Sequence, residues 1–467
     1  MSIKGFYLMP HPPIVIPNIG KGEEEKIKKT KDALNLIAHD IKEKDPEVVI
    51  IITPHGTMFG DAVALAYEDT IKGDLKKFGE HSVSMELEID KKLTSKIYEL
   101  AIEENIPSLM ATDDFLRKFD SKVEIDHGVF VPLYFINQAL ENYKIVHITY
   151  APLSDLELYK FGICINKAVE LIDINAVLIA SGDLSHRLKK DGPYDYNPYG
   201  EVFDKEFLLN LQQGNPMRIM SMDKKTMEGA GECGRRSVIM LLGALDKHKF
   251  KDELLSYEGT FGVGYGVMNF IPTSIEDSKT EKIEELKKSL YEKKLRAKDL
   301  YVRLAWESLA YYLTSGKELE YIPDYVTNEM REVKRGVFVS LKKCGELRGC
   351  IGTIFPVTNS VAEEIIRNAI EAGVNDPRFY RVEEHELMDI DISVDVLTEP
   401  EEADKEDLDP RKYGVIVKDN GKTGLLLPDL QGVNTIEEQL SIALQKAGIT
   451  SEEYTIEKFE VIRHLEE

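Results

Sequence analysis

Two histidines stand directly behind apolar runs: His11 in MPHPP after FYLM, and His55 in TPHG after VVIIIT. A third polar cluster, Asp183, Ser185 and His186 in GDLSH, follows AVLIAS in the same way. Neutral imidazoles suit Fe, Zn, Cu or Ni, and a carboxylate normally completes such a ligand set. EGAGECGRRSVIMLLGAL supplies the candidates, because its glycines read as a turn into an apolar helix with Glu232 and Cys233 in the first turn. There the helix dipole favours an anionic side chain and backbone N–H groups are unpaired. Glu232 is the preferred third ligand, with Cys233 and Glu228 competing. Two histidines and a carboxylate with open positions form the facial triad of oxygen-using Fe(II) enzymes.

Two more histidines read as proton carriers. His127 lies in EIDHGVFVPL, at the mouth of a predicted helix with Asp126 as its cap, and His186 lies in GDLSH. Imidazole titrates near neutral pH, so either can exchange a proton with a metal-bound substrate. His147, inside an apolar strand, and His39, His81 and His248, in charged stretches, read as structural or exposed. A strand-end histidine taken alone is more often a loop or core residue. Three of the ten histidines at such positions point instead to a common site.

The elements that would position them alternate. FYLM (6–9), EVVIIIT (47–53), KIVHITY (144–150) and AVLIAS (176–181) read as buried strands, and 23–43, 91–105, 155–172 and 200–213 carry apolar residues at helical spacing. That order predicts an α/β domain with a largely parallel sheet over residues 1–275, closing near FGVGYGVMNFIP. In such sheets the segments past the strand carboxyl ends converge on one crevice. Residues 276–299 are mostly charged and read as a linker or spacer helix. Residues 300–467 then predict a second, smaller α+β domain with an antiparallel-leaning sheet. Here GELRGCIGTIFP flanks Cys350 with glycines and offers Arg348 as an anion-binding fork, while NDPRFY carries Asp376 and Arg378 in a polar turn.

Composition narrows the function classes. A net charge of −24 over 467 residues argues against nucleic acid or an anionic membrane as main partner. No apolar run reaches the roughly 18 residues that cross a bilayer, and the N-terminus lacks a signal-peptide pattern. The expected location is cytoplasmic, and the four cysteines read as reduced thiols.

MPHPP, TPHG, DHGVFVPL, SGDLSH and GECGRRS, in that order, resemble class III extradiol dioxygenase B-subunits (LigB-like) and the related Memo proteins. The resemblance covers residues 3–272. It implies that His11, His55 and Glu232 bind Fe(II), with Zn or another divalent metal as the alternative, that His186 is the acid/base, and that His127 orients substrate. Memo-like members place a cysteine at the ligand position, here Cys233. LRGCIGT with NDPRF resembles the AMMECR family over roughly residues 300–465, leaving Arg348, Cys350, Asp376 and Arg378 as candidates without assigned chemistry. The fusion looks like the AmmeMemoRadiSam system, which implies a radical S-adenosylmethionine partner. This chain lacks the CxxxCxxC run such a partner needs. The expected function is a metal-dependent, extradiol-like enzyme acting on a small aromatic or enolisable substrate. The rivals are a metal-binding scaffold for the radical partner and a zinc hydrolase on the same ligands.

Overall fold

Runs of β-branched residues bounded by Pro and Gly leave a chain little choice but buried strands, because each strand face needs cover. The structure is a computed structural model that describes residues 3–430, 432–451 and 453–466. It divides into two units, Met1–Leu286 and Lys287–Glu467.

The first unit is built on an eight-stranded sheet. Its strands are β1 (Ile3–Met9), β2 (Val48–Thr53), β3 (Val63–Ala66), β6 (Ser108–Ala111), β7 (Lys144–Thr149), β8 (Ala176–Ser181), β9 (His248–Glu258) and β10 (Tyr265–Ile275). The order is β6-β3-β7-β2-β8-β1-β10-β9. The β7-β2-β8-β1 centre is parallel, with helices Lys28–Lys44 and Asp155–Ile172 leading from β1 to β2 and from β7 to β8. Along β2 the side chains alternate between two cores: Val48, Ile50 and Ile52 pack on one face and Val49 and Ile51 on the other. Each fully buried aliphatic contributes roughly 1.5–3 kcal/mol, which accounts for the unbroken apolar sequence of the central strands. β10 and β9 extend the sheet in antiparallel fashion. A separate hairpin, β4 (Thr70–Leu75) and β5 (Glu80–Glu88), stands outside it.

In the second unit, β11 (Val337–Lys343), β12 (Glu346–Gly352), β13 (Ile390–Leu397) and β18 (Val461–Leu465) form one antiparallel sheet, ordered β12-β11-β13-β18. β14 (Glu401–Glu402), β15 (Gly414–Asp419), β16 (Lys422–Leu426) and β17 (Thr455–Phe459) form another, ordered β14-β17-β15-β16. The two C-terminal strands, β17 and β18, fall one in each sheet. Helices Leu300–Ser315 and Val361–Val374 cover the core of the first sheet. The charged stretch 276–299 contains helix Thr280–Lys294; Ile283 and Leu286 join the core of the first unit, and Tyr291 and Leu295 that of the second.

Candidate metal centre

Three residues come two positions after the last residue of three neighbouring strands: His55 after β2, Asp183 after β8 and His11 after β1. Strand ends paired in register, Met9 with Ser181 and Ile52 with Ala180, bring these residues to one level. A fourth segment meets them there. Gly182 packs so tightly on Gly234 that a Cβ at 182 would lie 2.1 Å from the Gly234 Cα, so only glycine lets the GECGR turn approach β8. That approach delivers Cys233. One donor atom each from His11, His55 and Cys233 lies within 4.8 Å of the others. The two Nε2 atoms are 3.0 Å apart, and Cys233 Sγ is 3.6 Å from His11 Nε2.

The surrounding hydrogen bonds set the tautomer of His11. The Ser181 hydroxyl donates to the Gly128 carbonyl and lies 2.9 Å from His11 Nδ1. With its only proton committed, Ser181 accepts from His11 Nδ1–H, which leaves a lone pair on Nε2 facing the cluster. Asp183 fixes the backbone: its Oδ1 accepts from the His11 N–H at 2.9 Å, and its own N–H donates to Cys233 Sγ at 3.3 Å. Burial pushes the Asp183 carboxyl up to about 6. Burial, then the neighbouring imidazoles, push His11 and His55 down to about 3, so both are neutral at physiological pH. Burial and the Asp183 charge hold the Cys233 thiol well above its ordinary value. Two neutral nitrogen donors and one sulfur donor that converge are a set that fits a divalent metal.

Glu232, the preferred ligand from the sequence, is not among the donors that converge. Its Oε2 accepts the Arg235 backbone N–H at 2.6 Å and so caps helix Arg235–Ala244. One of the helix-end N–H groups that suggested an anionic ligand, that of Arg235, is satisfied by the carboxylate itself. Burial raises the Glu232 carboxyl, and the Arg235 N–H and nearby arginine charges oppose that. Glu228 is exposed and faces Lys224 at 3.9 Å.

His127 and His186 flank the cluster. His127 begins helix His127–Ile136, its ring stacked on His55 with centroids 4.1 Å apart. His186 stacks on Tyr194 at 5.0 Å. Burial lowers both imidazoles, while the Asp183 charge, joined at His127 by Asp126, works to raise them. Asp126 is more than a helix cap. It accepts from Thr53 Oγ1 at 2.7 Å and pairs with His147 Nε2 at 2.9 Å, giving His147 a partner that the sequence did not reveal. Burial pushes the Asp126 carboxyl up, but the hydrogen bonds from His147 and Thr53 outweigh it and bring it to about 2. A cleft of about 990 Å³ opens on His55 and His127, with Met58, Phe78 and Phe119 at its lip.

A residue not singled out from the sequence, Asp204, is buried behind the GDLSH loop and accepts the Ser185 N–H at 2.7 Å. Its signal was available: it occupies an apolar-stripe position of helix Tyr199–Gln212.

In the second unit Arg348 stands apart from a linked set of three, Cys350, Asp376 and Arg378. Arg348 is no free anion fork: Nε and Nη2 engage Glu386, Nη1 the Tyr380 carbonyl and Nη2 the Arg381 carbonyl. Cys350 lies on β12, an edge strand, where its N–H donates to Asp376 Oδ2 at 2.9 Å and its carbonyl accepts from Arg378 Nη2 at 3.0 Å. Asp376 and Arg378 thus occupy backbone groups that an edge strand would otherwise expose. Ser340 Oγ donates to Cys350 Sγ at 3.2 Å.

Residues 5–268 match the family described as the catalytic LigB subunit of aromatic ring-opening dioxygenase, and residues 302–464 match AMMECR1. A curated protein of Clostridium acetobutylicum is 64% identical over 467 residues, covering 100% of both chains. One from Thermotoga maritima is 47% identical over 169 residues, 35% of this chain and 96% of its own. The crystal structure of an uncharacterized Pyrococcus horikoshii protein aligns over 35% of this chain and 89% of its own, at 33% identity and a TM-score of 0.32. No helix among the described residues is long and apolar enough to cross a membrane. The chain belongs to the family of the catalytic LigB subunit of aromatic ring-opening dioxygenases and carries an AMMECR1 domain after it.

Proposed function

We propose that the first domain is a metal-dependent enzyme of the extradiol type, holding its metal on His11, His55 and Cys233 and acting on a small substrate that chelates through adjacent oxygens. The observation that supports this most is the pair of neutral imidazoles whose Nε2 atoms meet at 3.0 Å beside the Cys233 sulfur. Fe(II) is the expected metal, and the thiolate donor also suits Cu or Zn. When bound, the metal supplies Lewis acidity and a template for the chelating oxygens.

The chain's own residues do the rest. Ser181 and Asp183 orient His11. His127, stacked on His55 at the cleft, is placed to donate a hydrogen bond to a substrate oxygen. His186, beside the Asp183 carboxyl, takes or returns the substrate proton. Both imidazoles are available as neutral bases at pH 7 because burial lowers them.

The test is anaerobic loading with Fe(II), then exposure to a catechol and related carbonyl compounds with and without oxygen, read by mass spectrometry. Oxygen-dependent ring cleavage that His186→Ala abolishes without loss of metal supports the reading. Loaded protein that transforms none of these compounds counts against it.

One observation favours a second reading. A thiolate replaces the carboxylate of the facial triad, which suits holding a metal more than activating oxygen. In that case the domain is a metal-bearing component that works with a radical S-adenosylmethionine protein, and turnover appears only when that partner is added.

A further inference from the structure

Helix Tyr199–Gln212 turns Gly200, Phe203, Asp204, Phe207, Leu208 and Leu211 inward, a stripe in which only Asp204 is charged. Asp204 is 1% exposed. Burying a carboxyl group among phenylalanines is costly unless it is hydrogen-bonded. A leucine would satisfy the helix without that cost, so the carboxylate serves a purpose other than packing.

Its partners show what that purpose is. Oδ1 accepts the Ser185 backbone N–H at 2.7 Å, and Oδ2 accepts the Tyr257 hydroxyl at 2.6 Å. Gly264 leaves room for it, since a Cβ there would sit 2.2 Å from Oδ2. Ser185 belongs to the irregular segment Gly182–His186, which neither helix nor strand constrains. Besides the Asp183 carboxylate, which accepts the His11 N–H, the segment has neutral anchors. Leu184 N–H donates to the Gly264 carbonyl, Gly264 N–H to the Ser185 carbonyl, and Ser185 Oγ and His186 N–H to the Ala230 carbonyl. One end of the segment, Asp183, touches both His11 and Cys233, and the other end presents His186.

We propose that Asp204 is the positioning residue of this loop, holding Ser185 so that Asp183 and His186 keep their places beside the metal ligands. The positional claim stands without any assumed reaction. Its catalytic consequence rests on the role proposed for His186.

The experiment compares Asp204→Leu, which suits the apolar stripe but cannot accept, with Asp204→Asn, which keeps an acceptor oxygen. In the full chain, the Leu variant should exchange the Ser185 amide about tenfold faster, as expected when a buried hydrogen bond is lost. Its His186 imidazole, followed by NMR, should titrate closer to the ordinary value of about 6.5. If the proposed reaction is present, kcat should fall about 100-fold, the scale of a misplaced catalytic group, with metal stoichiometry and KM little changed. The Asn variant should retain Ser185 protection and the parental His186 titration. A Leu variant with parental exchange and titration overturns the proposal, whatever the outcome of the activity assay.

Should the Leu variant not fold, the parent itself decides. The Ser185 amide proton should shift as Asp204 ionises, near the value of about 7 to which burial raises it. Tyr257 and Glu232 are the other titrating groups acting on Asp204, and neither accepts the Ser185 N–H. The shift should vanish in Asp204→Asn. A Ser185 amide that does not respond overturns the assignment.

Discussion

His11 and His55 follow β1 and β2, which are separated in the sheet by β8, yet their Nε2 atoms meet at 3.0 Å. With His11 Nδ1–H committed to Ser181, the meeting point is electron-rich on at least one side and is suited to a cation. His11→Ala and His55→Ala should each weaken divalent-metal binding by at least about 100-fold, beyond the usual cost of losing a supporting partner. The α/β circular-dichroism signal should persist. Calorimetric titration of metal into both variants checks it, and parental affinity in either removes the site.

Cys233 and Glu232 are adjacent in sequence and opposite in consequence. Cys233→Ala should abolish tight metal binding, whereas Glu232→Ala should keep it and lose about 1 kcal/mol of stability through the helix cap. Chelator competition and denaturant unfolding separate the two effects. Metal loss in Glu232→Ala alone would restore the carboxylate as the ligand.

Metal binding should also release a proton. The imidazoles are already neutral, having been lowered to about 3, while burial keeps the Cys233 thiol protonated until a metal displaces its proton. Titration near pH 7 in buffers of different ionisation enthalpy should show about one proton released per metal. The release should disappear in Cys233→Ala, measured with enough metal to populate any residual site.

Asp126 sets an acid limit on the fold. Its carboxyl is lowered from 3.8 to about 2, so its contribution is present above the unfolded value and is lost as pH falls from about 3.8 towards 2. Asp126→Asn should flatten that part of the stability curve. The comparison is denaturant unfolding at a series of pH values, and an unchanged acid slope would show that the His147 and Thr53 bonds do not stabilise the ionised form.

In the second domain, Asp376→Ala should uncap the Cys350 N–H on the edge of β12 and free Arg378. A loss of about 1–3 kcal/mol follows from an unsatisfied backbone group, together with a greater tendency of the exposed edge to self-associate. Unfolding midpoints and light scattering measure both. A variant equal to the parent in both would leave the Asp376–Arg378 pair without a structural role.

The strand-end histidines were legible because β-branched runs mark buried parallel strands and whatever follows them lies at the crevice. The choice between Glu232 and Cys233 was not, since both sit in one turn and only the helix axis decides which faces the strands. β9 was missed for a different reason. HKFKDELLSYE interleaves charges with apolar residues because it is an edge strand, exposed along much of its length. Arg348 looked free because its carboxylate partner, Glu386, is 38 residues away in the chain. Asp204 did leave a signal, one carboxylate within a helical apolar pattern, but a search along strand ends does not meet it.

The common offset of His11, His55 and Asp183 beyond their strands also bears on how such a protein changes over generations. These positions are fixed by the pairing of neighbouring strands, so insertions farther along the loops need not move the His11 and His55 donors. The hairpin of β4 and β5, with Phe78 edge-on to His127 at 5.4 Å, is the kind of appendage that can be lengthened, shortened or replaced. On the proposed function, substrate preference and metal retention can therefore drift independently, the loops changing while the histidines stay in place.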